Sequence, residues 1–355
     1  MGHRANYVIV EQGEHRIHYS QFGALSLASA PLTGPEGLRS FILSTERRDQ
    51  PTDDVWCEGS LVLDLDARTL LFWSEHCPAG VNLEVRRALL RLVGERWPEW
   101  NIRWAVRGHA DVLAYLGLDA EGLIAVPEPA EELTVDQVTA TLNQGTLLMG
   151  ARTSLQDQRR QITEGDPDPY YLDAETILTV RFSDGQVRDF STLWSIDRVM
   201  TVGADLVTAL RSAPGTTLPR VEHVRGGALI DVAARTVTAW PLPHPGPGAA
   251  EHWPGWRVTW SDLGLPGQVA ATGRDPAAVA QTPAHLVREA ADLVGAADRV
   301  TQVQQSLLED LADLRAAGAE IVKEFRPTRF PSEPADERAE LLARLVELRR
   351  AGAPG

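Results

Sequence analysis

Apolar and polar residues alternate with a period of two along several short stretches of the chain, which predicts β-strands. Residues 61–66 place a leucine at every odd position, and an Asp-Ala-Arg-Thr turn follows, so we predict a hairpin over residues 59–73. Gly13 and Gly185 each lie between runs rich in Val, Ile, Tyr and Phe. These two positions predict further hairpins with two-residue turns, in which both turn residues have positive φ.

The same patterns occur twice in the same order. The sequence WPEWNIRW at 97–104 returns as WPGWRVTW at 253–260, and residues 59–73 align without a gap on 226–240 with six identities in fifteen. The first hairpins also correspond, and a helix-like apolar stretch follows each. We therefore infer a duplicated unit at about 4–122 and 174–275.

The tryptophans of the repeat predict a buried strand face. Trp100, Ile102 and Trp104 alternate with Asn101 and Arg103, and the second copy repeats this pattern. Aromatic side chains bury a large area each, so we interpret these rings as core rather than as a platform for a ligand.

The two copies differ between their tryptophan anchors. The first has an amphipathic stretch at 83–93 that predicts a helix, whereas the second has a run of prolines at 241–247 that cannot be helical. The second copy has therefore lost a helix, which makes the first copy the better candidate for a functional site.

Helices are predicted outside the repeat. Thr134 is a candidate N-cap for a short helix within the connector 123–173. From Pro283, apolar residues recur every seven positions up to Ile321, which favours either a coiled-coil seam or a helix pair bent near Gly318. Such helices would pack on the β units of the same chain or on a second copy. A final amphipathic helix is predicted at about 335–351.

The predicted fold class is α+β, with two tandem duplicated units, each a mainly antiparallel β-sheet with one or two helices, followed by a helical C-terminal region. The predicted organisation is a first unit at 1–122, a connector at 123–173, a second unit at 174–275 and helices at 276–355.

Charge and composition narrow the possible partners. The formal net charge of −15 opposes contact with nucleic acid and with anionic membranes. No apolar run is long enough to span a bilayer, and the first residues do not resemble a secretory signal, so we expect a cytoplasmic protein. Cys57 and Cys77 are expected to be buried thiols, and no metal site or cofactor is expected.

Candidate catalytic residues come from the differences between the copies, because no nucleotide-binding or hydrolase motif occurs. Polar residues of the first unit that the second unit replaces are Glu58, Asp66, Arg103 and His109. Asp64 could pair with Asp66 as an acid and base, but its match with Asp231 favours a role in bracing the turn.

Three functions fit the sequence. The leading hypothesis is a non-enzymatic interaction protein that binds a basic partner, as an immunity or antitoxin-type protein does, with partner binding or self-association through helices 283–325 and 335–351. The alternative is a hydrolase or transferase with its active site in the first repeat unit. A third is a sensor that stacks a small ligand on exposed tryptophan.

Overall fold

Two compact units, each with its own β-sheet and helices, make up the α+β fold. The computed structural model describes residues 3–124, 132–143, 175–221, 224–240, 247–316, 327, 330 and 334–351. The first unit comprises Met1–Gly80, Glu84–Val126 and Pro283–Gly352, and the second comprises Val81–Leu83, Pro127–Thr282 and Ala353–Gly355.

The first sheet is mixed and has six strands in the order β3-β2-β1-β4-β5-β6. Neighbouring strands are antiparallel except for β1 with β4 and β5 with β6, which are parallel. The strands are β1 (Arg4–Glu11), β2 (Glu14–Ser20), β3 (Glu46–Arg48), β4 (Cys57–Asp64), β5 (Thr69–Ser74) and β6 (Asn101–Trp104).

The second sheet repeats this plan with five strands in the order β8-β7-β9-β10-β11. Here β7 pairs in parallel with β9, and β10 with β11, while the other two pairs are antiparallel. The strands are β7 (Glu175–Arg181), β8 (Val187–Thr192), β9 (Val224–Asp231), β10 (Thr236–Trp240) and β11 (Arg257–Trp260). Two tandem sheet units are therefore present, as the duplicated sequence predicts.

Both sheets carry a β-bulge at the same place in their central parallel pair. In the first sheet Arg4 pairs with Cys57 and Ala5 pairs with Gly59, so Glu58 has no partner on β1. The second sheet repeats this shift, where β9 has one extra residue, Arg225. A bulge of this kind bends the strand and redirects the side chain of the extra residue.

The first hairpins of the two units have different turns. Gln12 and Gly13 both have positive φ, at 57° and 76°, which is the two-residue turn predicted from the sequence. In the second unit the loop spans 182–186, and of its residues only Gly185 has positive φ. The prediction of a two-residue turn was therefore wrong there. A longer loop that contains one glycine with positive φ also closes a hairpin.

Helices cover both faces of the first sheet. Ala5, Tyr7 and Ile9 of β1 face a large core, and Val8 faces a smaller one on the opposite side. Strand β4 is likewise buried on both faces, as expected for a central strand with a parallel neighbour. The helices of this part of the chain are α1 (Gly34–Leu43), α2 (Pro78–Val81), α3 (Leu83–Arg96) and α4 (His109–Leu116).

The second unit also has a core on each face of its sheet. Leu133 and Val138 pack into the larger core, so residues 132–143 of the predicted connector belong to this unit. Thr134 caps the short helix with a capping box to Gln137, as its position predicted. The helices are α5 (Val135–Ala140), α6 (Ile196–Met200), α7 (Asp205–Ser212) and α8 (Gly264–Ala270).

In each unit a repeated tryptophan is buried just before the last strand of the sheet. Trp97 and Trp253 are each 1% exposed. Their indole N–H groups donate to the carbonyl oxygens of Pro31 and Met200 at 2.7 and 2.9 Å. The rings of Trp100 and Trp104 are half-buried against the core, so the aromatic residues of the repeat are structural, as predicted.

The C-terminal helices pack into the first unit instead of forming a separate region. They are α9 (Pro283–Val294), α10 (Ala296–Ala316) and α11 (Ala335–Ala351). Leu286, Leu293 and Val300 of the seven-residue stripe are buried in the core of that unit. The helix breaks at Gly295, whereas Gly318, where we predicted the bend, lies outside the described residues. None of the helices described is both long and apolar enough to cross a membrane.

Replacing Trp97 by Ala tests the tryptophan anchor. We expect the free energy of unfolding to fall by about 3–5 kcal/mol, because a cavity replaces the indole. The control is Trp56→Ala, whose ring is 55% exposed and should cost about 0.5 kcal/mol or less. Denaturant unfolding of both variants decides, and equal losses would contradict the assignment.

Replacing Val300 by Asp tests whether the heptad stripe is internal. The side chain is 0% exposed, so an aspartate there should strongly destabilise the first unit. Light scattering combined with denaturant unfolding separates this outcome from an intermolecular seam. A variant that keeps its stability but changes from dimer to monomer would show that the stripe joins two copies.

Candidate metal centre

The β-bulge places Glu58 at the end of the first sheet where β1 and β4 begin and β5 ends. Glu58 is the extra residue on β4, so its side chain does not follow the strict alternation of the strand. Its backbone carbonyl accepts a hydrogen bond from the Glu75 amide at 2.8 Å, just past the end of β5. This bond fixes the position of the next residue, His76, relative to Glu58.

A second histidine reaches the same point from the start of β1. His3 immediately precedes the strand, and its carbonyl oxygen accepts from the Ala24 amide at 3.0 Å. The imidazole rings of His3 and His76 meet edge to face with centroids 4.4 Å apart. Three separate segments of the chain therefore bring two imidazoles and one carboxylate together.

The three side chains present their ligand atoms to a common point. The His3 Nδ1 atom lies 2.9 Å from Glu58 Oε2 and 3.1 Å from His76 Nε2, and the distance between His76 Nε2 and Glu58 Oε2 is 2.5 Å. In its deprotonated form each of these three atoms has a free lone pair, and a cation between them can bind all three at once, whereas a proton can bridge only two of them. His3, Glu58 and His76 therefore form a candidate metal site.

The donor set and its exposure are typical of a catalytic rather than a structural metal. Two imidazole nitrogens with one carboxylate bind Zn²⁺ in hydrolytic enzymes, where water takes the fourth position. At bond lengths of about 2.0–2.1 Å, tetrahedral ligand atoms lie about 3.3 Å apart, so ion entry would separate these atoms by about 0.2–0.8 Å. The side chains of His3, Glu58 and His76 are 34%, 28% and 25% exposed, which leaves space for this movement and for water.

A buried polar network lies beside the bulge on β4. The Asn6 amide group donates to the Cys57 Sγ at 3.1 Å, and the Cys57 thiol donates to the Gly59 carbonyl at 3.0 Å. Ser60 Oγ lies 3.2 Å from Cys57 Sγ and 2.9 Å from His109 Nδ1. The network thus connects α4 to the strand that carries Glu58.

Burial keeps the network uncharged. It lowers the pKa of His109, although Asp54 and Asp53 partly oppose this, and it raises the pKa of the Cys57 thiol. A neutral imidazole and a protonated thiol follow at neutral pH. Cys57 and Cys77 are both buried, as predicted, so neither is placed as a reactive thiolate.

The four residues selected from the sequence do not form one cluster. No hydrogen bond or ion pair joins any two of Glu58, Asp66, Arg103 and His109 in the described part of the chain. Glu58 joins the two histidines, and His109 joins the network of Ser60. Arg103 lies exposed on β6.

Asp66 and Asp64 both stabilise turns. The Asp66 carboxylate accepts from the amides of Gln12 and Gly13 at 2.9 and 2.8 Å, so it closes the tip of the first hairpin. Asp64 Oδ1 accepts from the amides of Asp66 and Ala67 and thereby braces its own turn, as Asp231 does in the second unit. The acid and base pair considered for these two residues has no support in this geometry.

The candidate metal ligands are restricted to the first unit. The strand registers place Arg225 where Glu58 lies. Continuing the alignment places Ala174 opposite His3 and Pro243 opposite His76. The second copy therefore has no candidate ligand at any of the three corresponding positions. Neither His3 nor His76 stands out in the sequence, because His3 is 55 residues from Glu58 and 73 residues from His76.

Comparison of this chain with protein-family models, with curated proteins and with solved structures finds no match.

Replacing Asp66 by Asn tests its role in the hairpin. Bonds from the Gly13 and Gln12 amides hold the pKa of Asp66 below its ordinary value of 3.8. The stability contributed by its charge is therefore present at neutral pH and is lost as the pH falls through the lowered pKa. We expect Asp66→Asn to lower Tm at pH 7 and the difference from wild type to shrink below about pH 4.

The control for this experiment is Asp49→Asn, which changes an exposed aspartate of the same unit. It should leave Tm nearly unchanged at both pH values. A deficit of Asp66→Asn that stays constant or grows as the pH falls would contradict the role assigned to the carboxylate.

Proposed function

We propose that the first unit binds a divalent transition-metal ion, Zn²⁺ above all, through His3, Glu58 and His76, and that the bound ion activates water for hydrolysis. The observation that carries the proposal is the mutual contact of two imidazole nitrogens and one carboxylate oxygen at a half-exposed end of the sheet. This reaction class is the alternative that the sequence predicted for the first repeat unit.

The number of protein ligands supports a catalytic metal. Structural zinc sites are closed by four protein ligands, commonly cysteines, whereas catalytic sites have three and keep a position for water or substrate. Zinc lowers the pKa of bound water to about 7, which supplies hydroxide at neutral pH. The chain would contribute two neutral imidazoles and one carboxylate, and therefore leave a net positive charge on the ion for an electron-rich substrate atom.

The hypothesis of a non-enzymatic interaction protein depends on the acidic net charge and on the C-terminal helices. Leu293 of α9 and Val300 of α10 pack within the first unit, which is one of the two arrangements expected for these helices. Partner binding or self-association through helices 283–325 and 335–351 stays a prediction. Binding of a basic partner, as by an immunity or antitoxin-type protein, stays a prediction from the net charge of −15. The metal-site proposal has more specific support than the partner hypothesis, namely the distances between three ligand atoms.

Calorimetric titration with Zn²⁺ tests the metal site. We expect one ion per chain in the wild type and a loss of affinity of about 100-fold or more in His3→Ala, Glu58→Gln and His76→Ala, because each removes one of three ligands. The matched control is His15→Ala, which removes an exposed histidine of the first hairpin. Wild-type protein that binds no Zn²⁺, or ligand variants that bind like His15→Ala, would contradict the proposal.

Hydrolysis is tested separately with the zinc-loaded protein. The probes are p-nitrophenyl acetate for esters and bis-p-nitrophenyl phosphate for phosphodiesters. We expect turnover of at least one probe that a chelator abolishes, that Zn²⁺ restores and that Glu58→Gln lacks. Stoichiometric zinc binding without turnover of either probe would retain the metal site and overturn the hydrolytic assignment for these two ester classes.

A further inference from the structure

The thiol of Cys57 bridges the bulge that carries Glu58. It donates to the carbonyl oxygen of Gly59 at 3.0 Å, so one hydrogen bond connects the residues on both sides of Glu58. Gly59 itself has little freedom, because a Cβ atom there would lie 3.1 Å from Leu27 and 3.2 Å from the carbonyl oxygen of Trp73. The backbone on either side of the carboxylate ligand is therefore held from within the unit.

Two further contacts fix the thiol. Asn6 donates to Cys57 Sγ and to the carbonyl oxygen of Thr52, and it accepts from the Thr52 amide at 3.0 Å. On the other side, Ser60 Oγ connects the thiol to His109 at the start of α4. All four side chains of the network, Asn6, Cys57, Ser60 and His109, are 2% exposed or less.

The second unit shows that the bulge does not require this network. Its register places Val224 at the position of Cys57, Ile177 at that of Asn6 and Gly227 at that of Ser60. The same one-residue shift is nevertheless present there. The network therefore occurs together with the metal ligands and not with the bulge itself.

We infer that the network of Asn6, Cys57, Ser60 and His109 is a positioning device for the metal centre, which holds the carboxylate of Glu58 in the direction of His3 and His76. This inference rests on the proposed function and adds to it four residues that do not touch the ion. Groups behind metal ligands commonly change metal affinity by about 10–100-fold when they are removed.

The test replaces Cys57 by Val, the residue that the second unit carries at the same point of its bulge. We expect the bulge to form and Tm to change little, while the affinity for Zn²⁺ falls by about 10–100-fold. Ser60→Ala should act in the same direction. Cys57→Ser is the conservative variant, and its hydroxyl can still donate to the Gly59 carbonyl, so it should restore most of the affinity.

The matched control is Tyr115→Phe. Tyr115 lies on α4, and its hydroxyl donates to Asp64 at 2.7 Å, so this variant removes one hydrogen bond between the same helix and the far end of the same strand. It should leave zinc affinity unchanged. Equal losses of affinity in Tyr115→Phe and Cys57→Val would mean that general weakening of α4 and β4 is responsible, and would overturn the inference.

Spectra of the Co²⁺-substituted protein give a second readout that stability does not affect. We expect the ligand-field bands to shift in Cys57→Val and to return in Cys57→Ser. A thiolate-to-cobalt charge-transfer band that the wild type shows and Cys57→Val lacks would make Cys57 a ligand, which contradicts the positioning role. Wild-type zinc binding with unchanged affinity in Cys57→Val would overturn this inference alone, whereas no binding by the wild type would overturn the proposed function.

Discussion

The parallel pairing of β1 with β4, with its shift of one residue, is the constraint on which the rest of the structure depends. Both strands are buried on their two faces, so their register decides which side chains enter each core. The shift lets Ala5, Tyr7 and Ile9 face the larger core while Glu58 is left without a partner on β1. A polar side chain is thereby presented at the sheet end without disturbing the alternation of the buried strand.

Duplication accounts for the presence of this feature in both sheets, and the proposed metal site uses it in only one of them. The second sheet retains the bulge and its glycine, Gly226, but has Arg225 at the extra position, and Val224 and Ile177 replace Cys57 and Asn6. The candidate metal ligands and the network of Asn6, Cys57, Ser60 and His109 belong to the first unit. Among the described residues, the C-terminal helices contribute to the core of that same unit.

Local features of the fold were accessible from the sequence, and distant pairings were not. The hairpins and the tryptophan anchors follow from turn residues and from periodicity, which act over a few positions. The central parallel pairs, β1 with β4 and β7 with β9, and the bulge in each depend on contacts between segments about 50 residues apart, which no local pattern encodes. The difference between the copies selected Glu58, which the proposed metal site uses. It selected Asp66 equally, because a carboxylate that closes the tip of a hairpin can differ between the copies just as a ligand can. His3 lies 73 residues from His76 in the sequence, so only the folded chain brings the two imidazoles together.

We propose that His3, Glu58 and His76 at the end of the first sheet bind a metal ion. Anomalous diffraction at the zinc absorption edge, from crystals of the full chain grown with Zn²⁺, tests it most directly. We predict one strong peak in the anomalous difference map, about 2.0–2.2 Å from His3 Nδ1, Glu58 Oε2 and His76 Nε2. An ordered sheet end without a peak there, or a peak held by other side chains, would contradict it.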